Sequence, residues 1–287
     1  MREDVLPIIL GANEGAYALS NAFYHDYGII PLVFDSKPSA LFSATACAYF
    51  VESENIRKKD ILYRTLDDIH SKKQGKSLIL IPADKEFLSF VREREEWLSK
   101  MFLLPHLPTP CADKIPEDLS SLTLLYRAGK GECRTVFGRV LSLFPSGKAG
   151  AVLTENIPAD IEENIEREAQ GLSRGIYLFY IGADGVLYRD GSVLSPLCAF
   201  AAAKDASIPE WIIEETVLCN PLTETQKKLF ALFTLFPYRK CRRFLSRKDR
   251  KSLRRVEKCA LYGFKTEGFR KDIARIFKEL YRSYARH

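Results

Sequence analysis

The first third of the chain alternates short apolar runs with helical segments, and this alternation constrains the fold more than any other sequence feature. The runs LPIILG, IIPLVFD, AYFVE and SLILIPA have the length of buried strands. Helices placed between such strands favour a parallel sheet that is covered on both faces. We therefore predict an α/β fold class with a Rossmann-like N-terminal domain at residues 1–115.

A group of prolines (Pro105, Pro108, Pro110 and Pro116) follows this region and marks a domain boundary, because proline removes backbone donors and disfavours helix before it. Beyond it, TLLYRAGKGECRTVFGRVLSLF and GIYLFYIGADGVLYRDG alternate apolar and polar residues around glycine-containing turns, which predicts two hairpins. The segment ADIEENIEREAQGL between them has the pattern of a helix. We predict an α+β second domain at residues 116–222.

The C-terminal part differs from the rest of the chain in charge. From Lys227 to His287 there are 20 Lys+Arg against 5 Asp+Glu, a net charge of +15, whereas residues 1–226 carry −9. We predict a basic helical region at residues 223–287, whose last segment has one apolar stripe. Its cations could bind nucleic acid, an anionic lipid surface or an acidic partner, or simply form a solvated face. The residues predicted to bind anions are Arg242, Arg243, Arg247, Lys248, Arg250, Lys251, Arg254 and Arg255.

Several classes of protein are excluded by the sequence. No apolar run approaches the ~20 residues that a membrane span needs, and the N-terminus has no apolar signal-peptide core. The seven cysteines are scattered and contain no CxxC pair, so we interpret them as reduced structural thiols. No transmembrane segment and a cytoplasmic location are therefore expected.

Polar residues follow the predicted strands of the N-terminal domain. Gly11, Asn13 and Glu14 lie at the first strand-to-helix turn, where backbone amides could receive a phosphate, although two glycines at such a turn commonly serve tight geometry. Asp35 ends the second strand, where an acid can hold a ribose hydroxyl, and Asp84 follows a later strand. We predict ligand binding by these five residues, in a cleft between the two domains.

Three segments resemble, in order, the D-aspartate-ligase-like branch of the ATP-grasp carboxylate-amine ligases. They are LPIILGANEGAYALSNAFYHDYGIIPLVF, SLILIPADKEFLSFVREREEWLSKMFLLPHL and LFPYRKCRRFLSRKDRKSLRR. The resemblance implies a pre-ATP-grasp N-terminal domain and a reduced ATP-grasp core. It further implies that the lid subdomain of the family is missing, because only residues 116–120 separate the first domain from the strand that would follow the lid.

The same resemblance concerns metal binding. The family places an acid on the strand that GIYLFYIG resembles and a Glu-x-Asn-Pro motif on the next, to hold the magnesium ions that bridge ATP phosphates. Here Tyr180 and Arg189 stand near those positions. Asp184 and Asp190 are the carboxylates available as metal ligands, and both lie in turn-like contexts that favour ordinary turn chemistry.

Three functions remain open at this point. The first is a degenerate, noncatalytic ATP-grasp homologue that acts as a binding or regulatory subunit, paired with a second copy or with an intact ATP-grasp ligase. The second is an active ATP-dependent ligase that works through an acyl phosphate, either alone or with its site completed by a partner chain. The third is an anionic-surface or nucleic-acid binder that uses the basic region. No cofactor is expected for the first and third functions, whereas the second requires ATP and Mg²⁺. No catalytic residue can be assigned.

Overall fold

The computed structural model describes residues 4–39, 41–42, 45–105, 119–127, 133–142, 149–190, 208–213, 216–217, 231–234, 238–242, 245–253 and 256–260. The strands are β1 (Val5–Leu10), β2 (Leu32–Asp35), β3 (Tyr49–Glu52), β4 (Ser77–Pro82), β5 (Leu119–Arg127), β6 (Cys133–Ser142), β7 (Ala149–Thr154), β8 (Gly175–Gly182), β9 (Leu187–Asp190), β10 (Ala231–Thr234) and β11 (Glu257–Ala260). The helices are α1 (Glu14–Tyr27), α2 (Lys59–Lys72), α3 (Lys85–Glu93), α4 (Glu95–Leu98), α5 (Ala159–Gln170), α6 (Ile208–Ile213), α7 (Tyr238–Cys241) and α8 (Arg247–Ser252).

The chain forms two compact units, and neither is one continuous segment. Unit 1 comprises residues 1–105 and 207–222, and unit 2 comprises residues 106–206 and 223–287. The sequence predicts domain boundaries after residues 115 and 222. The structure differs from this prediction because it assigns residues 207–222 to unit 1. The reason is that α6, in which Trp211, Ile212 and Ile213 are buried, packs against α1.

Unit 1 contains a four-stranded, all-parallel sheet with the strand order β3-β2-β1-β4. In β1, Ile8 lies opposite Leu32 on one side and Leu80 on the other. The central strands are continuous apolar runs because both of their faces are buried. One hydrophobic cluster joins Ile8 and Leu80 to Leu62 and Leu66 of α2 and to Phe87 of α3.

Two capped helices leave the carboxyl edge of this sheet. The side chain of Asn13 accepts a hydrogen bond from the Ala16 amide at the start of α1, and Asp84 accepts one from Phe87 at the start of α3. Helix α1 ends at Gly28, whose φ of 67° is the left-handed conformation that glycine adopts without strain. These caps fix where α1 and α3 begin, directly above the ends of β1 and β4.

Unit 2 contains a seven-stranded sheet with the order β11-β10-β7-β6-β5-β8-β9. Its neighbouring strands are antiparallel except for β10 and β11, which are parallel. Both predicted hairpins are confirmed, as β5–β6 and β8–β9. Helix α5 packs Ile165 and Ala169 against Leu125, Tyr177 and Phe179 on one face of the sheet.

The prediction that the C-terminal region is helical throughout was wrong. Besides α7 and α8, it contributes the strands β10 and β11 to the sheet of unit 2. Each strand has four residues, and β10 gains its hydrogen-bonding partner from β7, far away in sequence, so local periodicity did not reveal it. The apolar stripe predicted near the C-terminus falls on residues 261–287, which lie outside the described residues. Within the described part of the chain, no helix is long and apolar enough to span a bilayer.

Candidate functional site

The carboxyl edge of the parallel sheet in unit 1 brings together four of the five residues predicted to bind a ligand. Gly11 lies so close to Asp84 that a Cβ atom on it would be 3.1 Å from the Asp84 Oδ2 atom, and its φ of 103° also requires glycine. The Asn13 Nδ2 atom donates to the Ala83 carbonyl at 2.6 Å. Asp35 accepts a hydrogen bond from the Ala12 amide at 2.9 Å. The fifth residue, Glu14, is the first residue of α1 and is half-buried.

Arg57 joins the acids at this edge, and we call the group Arg57, Asp35, Asp84 and Glu86 the Arg57 cluster. The guanidinium donates to Asp35 from Nε at 3.1 Å and from Nη2 at 3.0 Å. It also donates to Asp84 at 3.0 Å and to Glu86 at 2.6 Å. Its Cζ atom lies 4.7 Å from the centre of the Phe87 ring, a cation–π distance. One guanidinium thus connects the end of β2 with the start of α3.

Within the Arg57 cluster, Asp35 and Arg57 stabilise the ionised form of each other. Burial disfavours the ionised form of Asp35, but hydrogen bonds from Arg57 and from the backbone amides of Ser36 and Ala12 outweigh it, so the pKa of Asp35 lies below its ordinary value. Burial likewise disfavours the cation of Arg57, but the bonds to Asp35, Glu86 and Asp84 raise the pKa of the guanidinium. Asp35 and Arg57 are therefore both charged at neutral pH.

The hydrogen bonds at this edge are largely used within unit 1. Asp35 Oδ1 accepts from the Ser36 amide and Arg57, and Asp35 Oδ2 accepts from the Ala12 amide and Arg57, which fills the four lone-pair positions of a carboxylate. The Gly11 amide donates to the Phe34 carbonyl at 2.8 Å. With three carboxylates around one guanidinium, the Arg57 cluster is net negative. It is therefore better suited to hydroxyl or amine groups than to a phosphate.

Sequence reasoning missed Arg57, the residue that organises the edge. It lies in the segment between β3 and α2, where no periodic pattern singles it out. A signal was nevertheless present, because β3 belongs to the same parallel sheet and its carboxyl end must lie beside Asp35. Asp35 at the end of β2 and Asp84 after β4 lie on either side of β1, and two carboxylates at one sheet edge are stabilised by a nearby cation. Arg57 is among the basic residues that follow β3.

The residues predicted to hold a metal lie on the β8–β9 hairpin of unit 2. Asp184 is exposed in the turn, and its Oδ1 atom accepts a hydrogen bond from the Val186 amide at 3.1 Å, an ordinary turn interaction. Asp190 is the last residue of β9 and is paired with Leu178. Tyr180 is buried on β8 and paired with Tyr188. Among the described residues, no group of three or more His, Cys, Asp or Glu side chains could hold a metal ion.

The basic residues predicted to bind anions lie on and around α7 and α8. The side chains of Arg242, Arg247 and Lys251 are exposed, and that of Arg250 is half-buried. Lys248 belongs to α8, but its side chain is outside the description, and Arg243, Arg254 and Arg255 lie outside the described residues. The anion-binding role of this group stays a prediction.

Replacing Arg57 tests whether the cluster holds unit 1 together. Arg57→Ala removes the hydrogen bonds to three carboxylates and leaves Asp35, whose side chain is only 12% exposed, without its countercharge. We expect the free energy of unfolding of unit 1 to fall by about 1–3 kcal/mol, less than for a fully buried pair because the guanidinium is partly screened by solvent. Both tryptophans of the chain, Trp97 and Trp211, belong to unit 1, so urea unfolding followed by tryptophan fluorescence reports on this unit.

Two further variants control for the loss of a positive charge. Arg57→Lys should recover only part of the stability, because one ammonium cannot bridge three carboxylates in the manner of a planar guanidinium. Lys59→Ala, which removes the exposed ion pair with Glu93, should change the urea midpoint much less than Arg57→Ala. Equal midpoints for Arg57→Ala and the wild type would contradict a stabilising role for the cluster.

The lowered pKa of Asp35 predicts how the stability of unit 1 depends on pH. Because the pKa is lower in the folded state, ionised Asp35 contributes its full stabilisation above about pH 4, and this contribution is lost as the pH falls through the lowered value. Asp35→Asn should be less stable at neutral pH and should lose less stability on acidification than the wild type. The measurement is the urea midpoint by tryptophan fluorescence from about pH 6 to about pH 2. Asp67→Asn removes an exposed carboxylate of α2 and serves as the control. Parallel curves for wild type and Asp35→Asn would refute the prediction.

This chain is similar to known proteins in its three-dimensional structure. Neither a protein-family model nor a curated protein sequence matches the chain. Among solved structures, the chain is similar to the L-amino acid ligase from Bacillus licheniformis, with a TM-score of 0.50 and 10% identity over 75% of each chain. It is also similar to the carboxyaminoimidazole ribonucleotide synthase from Aspergillus clavatus, complexed with ATP, with a TM-score of 0.52 and 8% identity over 81% of this chain and 82% of that one.

A third similar structure is the biotin carboxylase domain dimer of the Hydrogenobacter thermophilus 2-oxoglutarate carboxylase, in complex with MgADP, ADP and bicarbonate. Its TM-score is 0.50, with 9% identity over 79% of this chain and 73% of that one. These neighbours are ATP-grasp carboxylate-amine ligases. At such low identities the likeness concerns the fold alone, and the mixed α/β architecture with one parallel and one largely antiparallel sheet is consistent with an ATP-grasp-like fold.

Proposed function

We propose that this protein is a noncatalytic homologue of the ATP-grasp ligases, close to their D-aspartate-ligase-like branch, and that it serves as a binding or regulatory subunit. In this proposal unit 1 is the Rossmann-like pre-ATP-grasp part, and unit 2 is a reduced ATP-grasp core. The fold resemblance supports a ligase-related protein, and the chemistry of the β8–β9 hairpin supports the loss of catalysis.

The observation that carries the proposal is the composition of β8. This strand, GIYLFYIG, contains no carboxylate along its whole length, and Tyr180 lies where the resemblance expects an acidic metal ligand. The magnesium ions of phosphoryl transfer need hard anionic oxygen ligands, and a buried neutral phenol does not supply one. Nearby, the Asp184 carboxylate is engaged in the turn, where it accepts a hydrogen bond from the Val186 amide. Arg189 on β9 is paired with Phe179 and so lies on the opposite face of the sheet from Tyr180.

Two further observations support the same proposal. Residues 106–118 separate Pro105 from β5, a segment much shorter than any folded subdomain, which agrees with a missing lid at this point. At the edge of unit 1, the Arg57 cluster is net negative and already uses its own donors, so a nucleotide phosphate gains few partners there. Both features remove contacts that would hold ATP.

The decisive experiment is calorimetric titration of the purified chain with ATP, with and without Mg²⁺. We expect no magnesium-dependent binding and no ATP turnover, whereas an intact ATP-grasp ligase in the same buffer should give both. The double variant Asp184→Asn, Asp190→Asn should behave like the wild type. Magnesium-dependent binding that this double variant abolishes would overturn the proposal and favour an active ligase with these two aspartates as metal ligands.

A binding subunit needs a partner, and we propose a second copy of this chain that docks on the outer edge of β3. Within the described residues, β3 lies at the end of the sheet of unit 1. Its side chains Tyr49 and Val51 are 63% and 36% exposed, and they share one face of the strand because they are two residues apart. An exposed apolar edge strand is a ready surface for pairing with another chain.

Light scattering at several protein concentrations tests this association. We expect a mass above the 32.7 kDa of one chain, rising with concentration. Tyr49→Lys places a charge on the edge strand and should shift the equilibrium to the monomer by tenfold or so, whereas Lys72→Ala, on the exposed face of α2, should not. A monomer at every concentration would contradict the proposed pairing.

A further inference from the structure

Unit 2 contains a groove beside α5. It has a volume of about 440 Å³ and lies between α5 and the β5–β6 hairpin. We call it the α5 groove and define it by Leu125, Arg127, Cys133, Thr135, Glu162 and Glu166. Its volume is in the range of pockets that bind small molecules.

The strand register explains why these residues share one wall. Leu125 lies opposite Thr135, and Arg127 lies opposite Cys133, in the antiparallel β5–β6 pair. Residues that are two apart on a strand, and residues that are directly opposite across a pair, point to the same face of a sheet. Leu125 also contacts α5 in the hydrophobic core, which places this face on the side of α5. The hairpin therefore presents a guanidinium, a thiol and a hydroxyl to the groove.

The helical wall carries the opposite charge. Glu162 and Glu166 are one turn apart on α5, so their side chains lie one above the other on the groove side, and both are exposed. Ile165 and Ala169, which are buried beside them, and Ile157 form an apolar floor. Within the described part of the chain, no salt bridge joins Arg127 to either glutamate. The groove thus holds separated, opposite charges above an apolar base.

The electrostatics at Cys133 agree with this geometry. Burial raises the pKa of its thiol most strongly, and Glu166 raises it further, whereas Arg127 lowers it. The pKa of the thiol is therefore affected by Arg127 on the hairpin and by Glu166 on the helix. This is expected for a side chain that lies between two oppositely charged walls.

We propose that the α5 groove binds a small zwitterionic ligand with an apolar body, whose ammonium group is held by Glu162 and Glu166 and whose carboxylate is held by Arg127. The apolar floor accepts the body of the ligand, and the charge separation sets its orientation. A ligand with only one charge leaves the opposite wall without a partner, so it binds more weakly.

This site is distinct from the hairpin position that the resemblance links to metal and nucleotide. Tyr177 and Phe179 face α5, so Tyr180, which alternates with them along β8, faces the other side of the sheet. The proposal therefore does not depend on ATP binding or on the proposed noncatalytic function, and its test separates the two.

The test is calorimetric titration of the full chain with ε-aminocaproate, a flexible zwitterion, compared with hexylamine and hexanoate, which each carry one of its charges. We expect ε-aminocaproate to bind with a dissociation constant of millimolar or below, and each singly charged compound to bind about tenfold more weakly, as expected for the loss of one partly exposed charge-assisted hydrogen bond. Bound ε-aminocaproate should also slow alkylation of Cys133, measured by mass spectrometry of its peptide.

Variants of the two walls complete the test. Glu166→Gln and Arg127→Gln should each weaken ε-aminocaproate binding about tenfold. Glu163→Gln, on the same helix but outside the groove, is the matched control and should bind as the wild type does. Circular dichroism verifies that each variant is folded. The proposal is overturned if ε-aminocaproate at about 10 mM gives no binding heat, if hexylamine binds equally well, or if Glu163→Gln weakens binding as much as Glu166→Gln.

Discussion

The guanidinium of Arg57 is the interaction on which the organisation of unit 1 depends. A parallel sheet brings the ends of its strands to one edge, and here that edge collects Asp35 and Asp84, which repel each other unless a cation lies between them. Arg57 meets both carboxylates with the planar fork that lysine lacks. The Gly11 turn lies against Asp84, and the same carboxylate caps the start of α3.

The same arrangement turns a position that commonly binds ligands into one that mainly stabilises the fold. In parallel α/β sheets the carboxyl edge offers unpaired amides and helix N-termini to a ligand. In this chain the Ala12 amide is bound by Asp35, and the Ala16 amide is bound by the Asn13 side chain. The polar groups that would contact a ligand at such an edge instead contact one another.

In unit 2, the side chains of β5 and β8 give the two faces of the sheet different chemistry. Leu125 and its neighbours on the α5 side combine a core with a charged groove. On the other side, Leu122, Leu124 and Tyr180 are buried and apolar or neutral. Because side chains alternate along a strand, changes on one face leave the other nearly untouched. The chemistry of the α5 groove can therefore vary without changes at Tyr180 on the opposite face.

The sequence was informative where the signal is local. The β5–β6 and β8–β9 hairpins followed from alternation around glycine turns. The positions of Gly11, Asn13, Asp35 and Asp84 at one sheet edge followed from their place at the ends of predicted strands, and their binding of a ligand stays a prediction. The sequence was uninformative where contacts between segments that are far apart in the chain determine the structure. Arg57 has no periodic signature, the short strands β10 and β11 depend on partners elsewhere in the sheet, and the α5 groove exists only when α5 packs on the hairpin.

The placement of α6 has a consequence for how the protein is made. Helix α1 is buried along most of its length, from Gly15 to Asn21, and it contacts α6. A ribosome must translate all of residues 106–206 before α6 is synthesised. Until then the nascent unit 1 exposes an apolar side of α1 to solvent or to a chaperone. Unit 1 begins translation first but can complete its folding only after β5 to β9 have been made.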